Sequence, residues 1–198
     1  MSIKTIGIKY SEVNPLLLNN PQMVDPLNRY KKEASKITKK RNKTDDDHAE
    51  LRTLEVEAKL YWDSDLGVYV PSSWVSSSIA QVAFKLEKIS KADIRGSVFT
   101  TENKIKLNYQ GSELVKAPAD IIKNSDFHIL MNLKQGQVRV AKAFPIFKGW
   151  SFETEIEYDD SIIDPDSLER LIKHAAKYVG MGDFRPTYGR CTAEVTHV

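Results

Sequence analysis

WSFETEIEYDDSIIDPDSLERLIKHAAKYVG, residues 150–180, shows two periodicities in succession. Trp150, Phe152, Thr154, Ile156 and Tyr158 share one side of an extended chain, and Glu153, Glu155 and Glu157 share the other, as in a strand packed on one face and wet on the other. The period then changes. Asp164 stands as an N-cap with Pro165 at the first helical position, and Leu168, Leu171, Ile172, Ala175, Ala176 and Val179 form one apolar stripe. Lys173, His174 and Lys177 complement the negative end of the helix dipole, and Gly180 terminates the helix. CTAEVTHV, residues 191–198, predicts a closing strand, so the last fifty residues spell strand, helix, glycine-rich loop, strand.

Working outward toward the N-terminus, Lys148 and Gly149 predict a hairpin between QVRVAKAFPIF, residues 137–147, and the strand at 150–158. SVFTT, KIKLNY and FHILMNL predict further strands of one sheet. Pro71 closes a hairpin of LYW and GVYV around the turn DSDLG; Ser72 or Ser73 then caps a helix with Val75, Ile79, Val82, Ala83 and Leu86 inward. IKTIGIKY, residues 3–10, is a first strand weakened by Gly7, and the proline- and asparagine-rich stretch 11–26 is a loop. Residues 27–36 favour helix, and KITKKRNK, residues 36–43, is an exposed basic loop or fraying helix end. Thr44 caps the next helix with Asp47 at its third position and Leu51, Leu54 and Ala58 buried.

The expected fold is α+β of ferredoxin-like or RRM-like type, an antiparallel sheet with helices on one face. It is expected as a single domain, 1–198, enlarged by a basic helical insertion at 25–57. Hydrophobic residues at 41% and charged residues at 28% place the chain among ordinary globular proteins. Cys191 is the only cysteine, which excludes an intramolecular disulfide and a paired-thiolate zinc site and fits a reducing compartment. No signal-peptide core and no apolar run of membrane-spanning length is present, so a cytoplasmic location is expected.

Net charge is only +2, so the distribution of charge carries the information. Arg29, Lys31, Lys32, Lys36, Lys39, Lys40, Arg41 and Lys43 face the single acid Glu33. Within that run Lys36, Lys39, Lys40, Arg41 and Lys43 could follow a phosphate backbone, with a solvated surface loop as the alternative. The second dense stretch is GMGDFRPTYGR, residues 180–190. Glycines such as Gly182 let backbone approach phosphate, Arg185 and Arg190 supply forked donors, and Phe184 and Tyr188 offer faces for a stacked base. The structural alternative has Gly180 as helix cap, Gly182 and Pro186 in a turn, Gly189 at a bulge, the rings in the core and the arginines paired with the glutamate face.

The stretch is not a Walker loop, since it follows a helix and lacks the Gly-Lys-Ser/Thr ending, and it is not a dinucleotide fingerprint, which opens a helix after a strand. Asp45, Asp46, Asp47 and His48 point in different directions on one helix, so capping explains them better than a metal. His48, His128, His174 and His197 show no catalytic spacing. No cofactor and no metal is implied.

YVPSSWVSSSI, residues 69–79, leading into a helix, resembles the strand-to-helix entry of the RAMP superfamily, the RNA-binding ferredoxin-like proteins of CRISPR effector complexes. GMGDFRPTYGR is similar in position and character to that family's glycine-rich loop between last helix and last strand. The entry departs from the family pattern in having Trp74 and Val75 where a Lys-Gly pair or an arginine follows the serines. The chain also resembles uncharacterised bacteriophage proteins that share a tyrosine-tryptophan strand and a closing G-x-G-D-x-R-P-x-Y-G-R. These likenesses and the basic stretches imply a non-catalytic, phage-encoded protein that binds single-stranded RNA or DNA, possible partners being a further protein and a second copy of the chain. The alternatives are an interaction module that blocks a host or CRISPR protein, and a histidine-dependent endoribonuclease.

Overall fold

The computed structural model describes residues 3–197. In chain order the strands and helices are β1 (Ile3–Glu12), β2 (Leu16–Leu17), α1 (Arg29–Thr38), α2 (Asp45–Lys59), β3 (Trp62–Asp63), β4 (Gly67–Pro71), α3 (Ser73–Glu87), α4 (Lys91–Ser97), β5 (Val98–Thr100), β6 (Lys104–Lys106), α5 (Pro118–Lys123), β7 (His128–Gln135), β8 (Val138–Phe147), β9 (Ser151–Asp159), α6 (Pro165–Tyr178) and β10 (Cys191–His197). They fall into two compact units, one of residues 1–16, 63–110 and 147–198, the other of residues 17–62 and 111–146.

The first unit is built on the antiparallel sheet β10-β1-β9-β5. Taken with α3 and α6, the path β1, α3, β5, β9, α6, β10 is a βαββαβ chain whose strands stand in the order 4-1-3-2, the ferredoxin-like α+β topology. The second unit consists of the segments that interrupt this path, one between β1 and α3 and one between β5 and β9. The alternation read at residues 150–158 is borne out: Trp150, Phe152, Thr154, Ile156 and Tyr158 are buried, and Glu153, Glu155 and Glu157 are exposed. Tyr10 and Phe152 meet at 4.9 Å between ring centroids, and Trp150 stacks on Phe152 at 6.0 Å. Against this face packs α6, its Leu168, Leu171, Ile172, Ala175 and Ala176 fully buried and Asp164 accepting from the Ser167 amide at 2.9 Å.

Five expectations are corrected. The described residues form three sheets, not one: the four-stranded sheet, β2-β8-β7 and β3-β4-β6. β8 does not form a hairpin with β9, because β9 is flanked by β1 over nine residue pairs on one side and by β5 on the other, and β8 pairs with β7 instead. Ser72 begins α3 without a side-chain cap, since its backbone is already helical, and Leu86 on the same helix is 38% exposed. The proline-rich stretch 11–26 is not all loop: Leu16, Leu17 and Leu18 are fully buried, and Asn20 caps a short 3-10 turn at Pro21–Val24.

In the second unit Thr44 and Asp47 form the expected capping box at the start of α2. β7 and β8 form a long hairpin. Where the two-residue β2 ends, side chains of α2 complete the ladder of β8. Glu55 accepts from the Ala143 amide at 2.8 Å and from Lys142 Nζ at 2.6 Å, while Lys59 donates to the Ala143 carbonyl and lies 3.6 Å from the Phe144 ring centroid.

Candidate nucleic-acid interface

The loop from Gly180 to Arg190 is held at its base by backbone hydrogen bonds. The Met181 amide donates to the Gly189 carbonyl at 2.8 Å, and the Gly189 amide donates to the Pro15 carbonyl at 2.8 Å. Gly180 has φ +78° and Gly189 φ +74°, and a Cβ on Gly189 would lie 1.9 Å from the Met181 carbonyl oxygen, so the two ends of the loop cross where no side chain fits. Gly189 therefore serves this close approach rather than a bulge. Gly182 (φ +72°) and Phe184 (φ +54°) are also left-handed, and the Arg185–Pro186 peptide is cis.

This frame sets the arginines. The Arg190 carbonyl accepts from the Val13 and Asn14 amides at 2.8 and 3.0 Å, and its guanidinium donates to Asn14 Oδ1 at 3.3 Å. Arg185 is exposed, and its guanidinium donates to the Gly180 carbonyl at 3.4 Å. Both partners are neutral, so the pairing with sheet glutamates weighed above is not what holds these side chains. The Asn14 amide nitrogen donates to the Thr187 carbonyl at 2.8 Å, and its own carbonyl accepts from Trp150 Nε1 at 2.9 Å, tying the loop to the strand core. Phe184 and Tyr188 are half-buried, one turn apart through a Tyr188 amide to Phe184 carbonyl bond of 3.2 Å.

Arg190 lies between two shallow cavities. One of about 300 Å³ is lined by Asn14, Lys177, Tyr178, Pro186, Thr187 and Arg190. The other, of about 370 Å³, is lined by Val13, Lys173, Lys177, Arg190, Cys191, Thr192 and Ala193. The two share Lys177 and Arg190 and lie along α6 and the start of β10, and Lys173, Lys177 and Arg190 are the charged residues of their linings. Cys191 in the second lining is fully buried, and burial pushes the thiol up to about 12, so it is a structural rather than a reactive group. Lys173 is shared with Glu169 at 2.6 Å, and Lys177 Nζ stands 5.3 Å from the Tyr178 ring centroid.

Sequence reasoning singled out Arg190, which lines the groove, and Arg185 and Gly182, which shape the loop beside it; Phe184 and Tyr188 do not line either cavity. It missed the groove role of Lys173 and Lys177, which were given only a dipole role. Their spacing of four on one helix face was the available signal.

The other outward face of the same sheet has the opposite sign. Lys9, Glu102, Glu153, Glu155 and Glu194 surround a depression of about 420 Å³ floored by Gly7, in which Lys9 is the one cation and pairs with Glu153 at 3.1 Å. Base stacking on the open sheet, the usual RRM mode, would bring phosphates against these carboxylates.

In the second unit Lys36, Lys39 and Arg41 are exposed at the end of α1 and beyond it. Lys40 is paired with Asp47, whose carboxyl is held below the usual range first by that ion pair and then by the Thr44 amide, and Lys43 Nζ donates to the Lys40 carbonyl at 3.1 Å. Of the histidines, His128 bonds the Ile121 carbonyl at 2.9 Å, His174 packs on Tyr178 at 4.4 Å and His197 meets Glu169 at 3.1 Å, so the three serve local contacts. Among the described residues no group of three or more His, Cys, Asp or Glu side chains could hold a metal ion, and no helix is long and apolar enough to cross a membrane.

The architecture is that of an α+β protein with a ferredoxin-like sheet. No protein-family model matches the chain, and no curated protein matches it in sequence. Among solved structures it is similar to a chain of the type III-B Cmr-beta complex bound to cognate target RNA, at a TM-score of 0.50 and 9% identity over 98% of this chain and 61% of that chain. It is also similar to Cmr6 from Pyrococcus furiosus, at a TM-score of 0.39 and 12% identity over the full length of both. At 9% identity the likeness to the Cmr-beta chain is one of fold.

Proposed function

We propose that this protein binds single-stranded nucleic acid, with RNA as the first candidate, along the groove between α6 and β10. The observation that carries the reading is that Lys173, Lys177 and Arg190 line two adjoining cavities beside the glycine loop, which share Lys177 and Arg190, while the exposed face of the sheet carries carboxylates. Opposite signs on two faces of one sheet-and-helix layer direct a polyanion to the helix side. The similarity in fold to a chain from a complex bound to cognate target RNA supports RNA over DNA. Arg185 adds a donor at the mouth of the loop, and Lys36, Lys39, Lys40, Arg41 and Lys43 supply a second basic element. We carry with this reading a non-catalytic role and, from the resemblance of residues 180–190, a bacteriophage origin and action in the host cytoplasm.

The test is binding of a labelled single-stranded oligoribonucleotide at two salt concentrations, with strand integrity followed in the same samples. Lys177→Ala and Arg190→Ala should each weaken binding and lower the slope of log affinity against log salt by about 0.7 for each phosphate that is no longer neutralised. Charge reversal at Lys39 and Arg41 should act in the same direction if residues 36–43 also meet the strand, and should do nothing if that loop is only solvated. A wild-type protein with no affinity at low salt overturns the reading, and cleavage of the strand overturns the non-catalytic part of it.

A further inference from the structure

We infer that the cavity of about 300 Å³ between Tyr178 and Pro186 is a pocket for one unstacked nucleobase, with Lys177 and Arg190 on the phosphate next to it. This rests on the nucleic-acid reading and adds to it a specific interaction that the charged groove alone does not require. The walls of the cavity are of two kinds. Tyr178 closes α6 and is 54% exposed, a large ring presented to solvent at the end of a helix, and Pro186 is exposed at the tip of the loop. Lys177 and Arg190 supply the charge, and Asn14 and Thr187 supply polar edges.

The two kinds of wall together select the ligand. A bare phosphate would use Lys177 and Arg190 and leave the Tyr178 ring and Pro186 idle, and an apolar side chain would cover the ring and leave both cations uncompensated. A nucleotide uses all four, with its base against the apolar wall and its phosphate on the cations. The volume sits at the lower end of the range for small-molecule sites, enough to seat a base. The pocket is also fixed in shape. Asn14 is held through its backbone amide by the Arg190 carbonyl, through its own carbonyl by Trp150 and through its side-chain nitrogen by the Thr187 carbonyl, so the loop wall cannot drift from the strand core. Lys177 Nζ, 5.3 Å from the Tyr178 centroid, is on a flexible stem that can leave the ring for an arriving phosphate.

Two labelled strands of equal length distinguish base stacking from phosphate binding: a single-stranded RNA and the same ribose-phosphate backbone without bases. Each is titrated against wild type, Tyr178→Ala, Tyr178→Phe and Arg190→Ala, with thermal melts confirming that the exposed position leaves the fold intact. Tyr178→Ala should weaken binding of the base-bearing strand roughly 5- to 150-fold, as for loss of one stacking ring, with the salt slope unchanged. Tyr178→Phe should retain wild-type affinity, and the baseless strand should not distinguish wild type from Tyr178→Ala. If Tyr178→Ala binds both strands as wild type does while Arg190→Ala weakens and flattens binding, the base pocket is overturned and the phosphate groove stands. Equal loss in Tyr178→Phe and Tyr178→Ala overturns the stacking role. A wild type that binds neither strand overturns both.

Discussion

Gly189 is the residue on which the loop depends most sharply. Its left-handed backbone is one cost that a side chain would incur, about 1–3 kcal/mol for a strained conformation. The second is the Met181 carbonyl, which the new Cβ would meet at 1.9 Å. Gly189→Ala should therefore destabilise the chain by roughly 3 kcal/mol in urea unfolding, a size tied to backbone strain plus overpacking. The same substitution at Gly67, whose φ is +76° but whose Cβ would meet nothing within 4 Å, should cost only the strain. Equal losses at the two positions would show that the crossing of the loop ends does not limit stability. The glycines of residues 180–190 were legible in the sequence as positions of special backbone, and Gly180 as the stop of α6. The reason at Gly189 was not legible, because the atom that excludes a side chain belongs to Met181, eight residues earlier. Tyr178 was invisible as a site for a similar reason: as the last residue of an amphipathic helix it falls outside the apolar stripe, and only the placement of Pro186 and Arg190 makes it a wall.

At the scale of elements, α6 and β9 could be read from the sequence because both bury one face, and a one-sided core leaves a period of 3.6 or 2 in the chain. Their partners could not. β9 lies between β1 and β5, both far from it in sequence, and adjacency alone favoured the hairpin with β8 that the structure does not form. α2 shows the same limit in a different form. Its apolar stripe was legible in Leu54 and Ala58, but Glu55 and Lys59, which look like solvated helix charges, are buried at 3% and 9% exposure. They stand four residues apart on one face and take the two backbone groups of Ala143, replacing a strand that β2 is too short to provide. Removing one of the two leaves its partners buried and unpaired. Glu55→Ala should cost roughly 3 kcal/mol in denaturant unfolding, at the lower end for a broken buried ion pair because Lys142 is one-third exposed. Glu55→Gln, which can still accept from the Ala143 amide, should cost less. A loss under about 1 kcal/mol for the alanine variant would mean that α2 does not hold the free edge of β8.

For the whole molecule, net charge says little and its placement says more. A total of +2 hides an acidic sheet face and a basic groove in the same unit, and it also hides a set of carboxylates that prefer to be ionised in the folded state. Asp63 is held down to about 2, first by Lys104 and then by the amides of Asp65 and Leu66. Asp47 is lowered first by Lys40, Asp164 first by the Ser167 amide at the start of α6, and Glu169 first by Lys173 and then by His197. Each of these groups is lower in the folded chain than in the unfolded one, where an Asp titrates near about 3.9 and a Glu near about 4.3. The unfolded chain therefore binds more protons across this window, and the linkage makes stability fall as pH falls. The contribution of these groups is complete above about pH 5, drains as pH drops through about 4 and, for Asp63, is gone only below about 2. Urea midpoints measured from pH 7 to pH 2 should be flat down to about 5 and then decline. Asp63→Asn should start below wild type at pH 7 and approach it at pH 2, because the variant has no proton to gain at that site. Asp164→Asn should behave in the same way if capping by the ionised carboxylate matters at the start of α6. Midpoints that rise between pH 5 and pH 2 would show that the folded chain binds more protons than the unfolded one, against the lowered carboxylates, and an Asp63→Asn curve parallel to wild type throughout would show that the protonated acid makes the Asp63 contacts equally well.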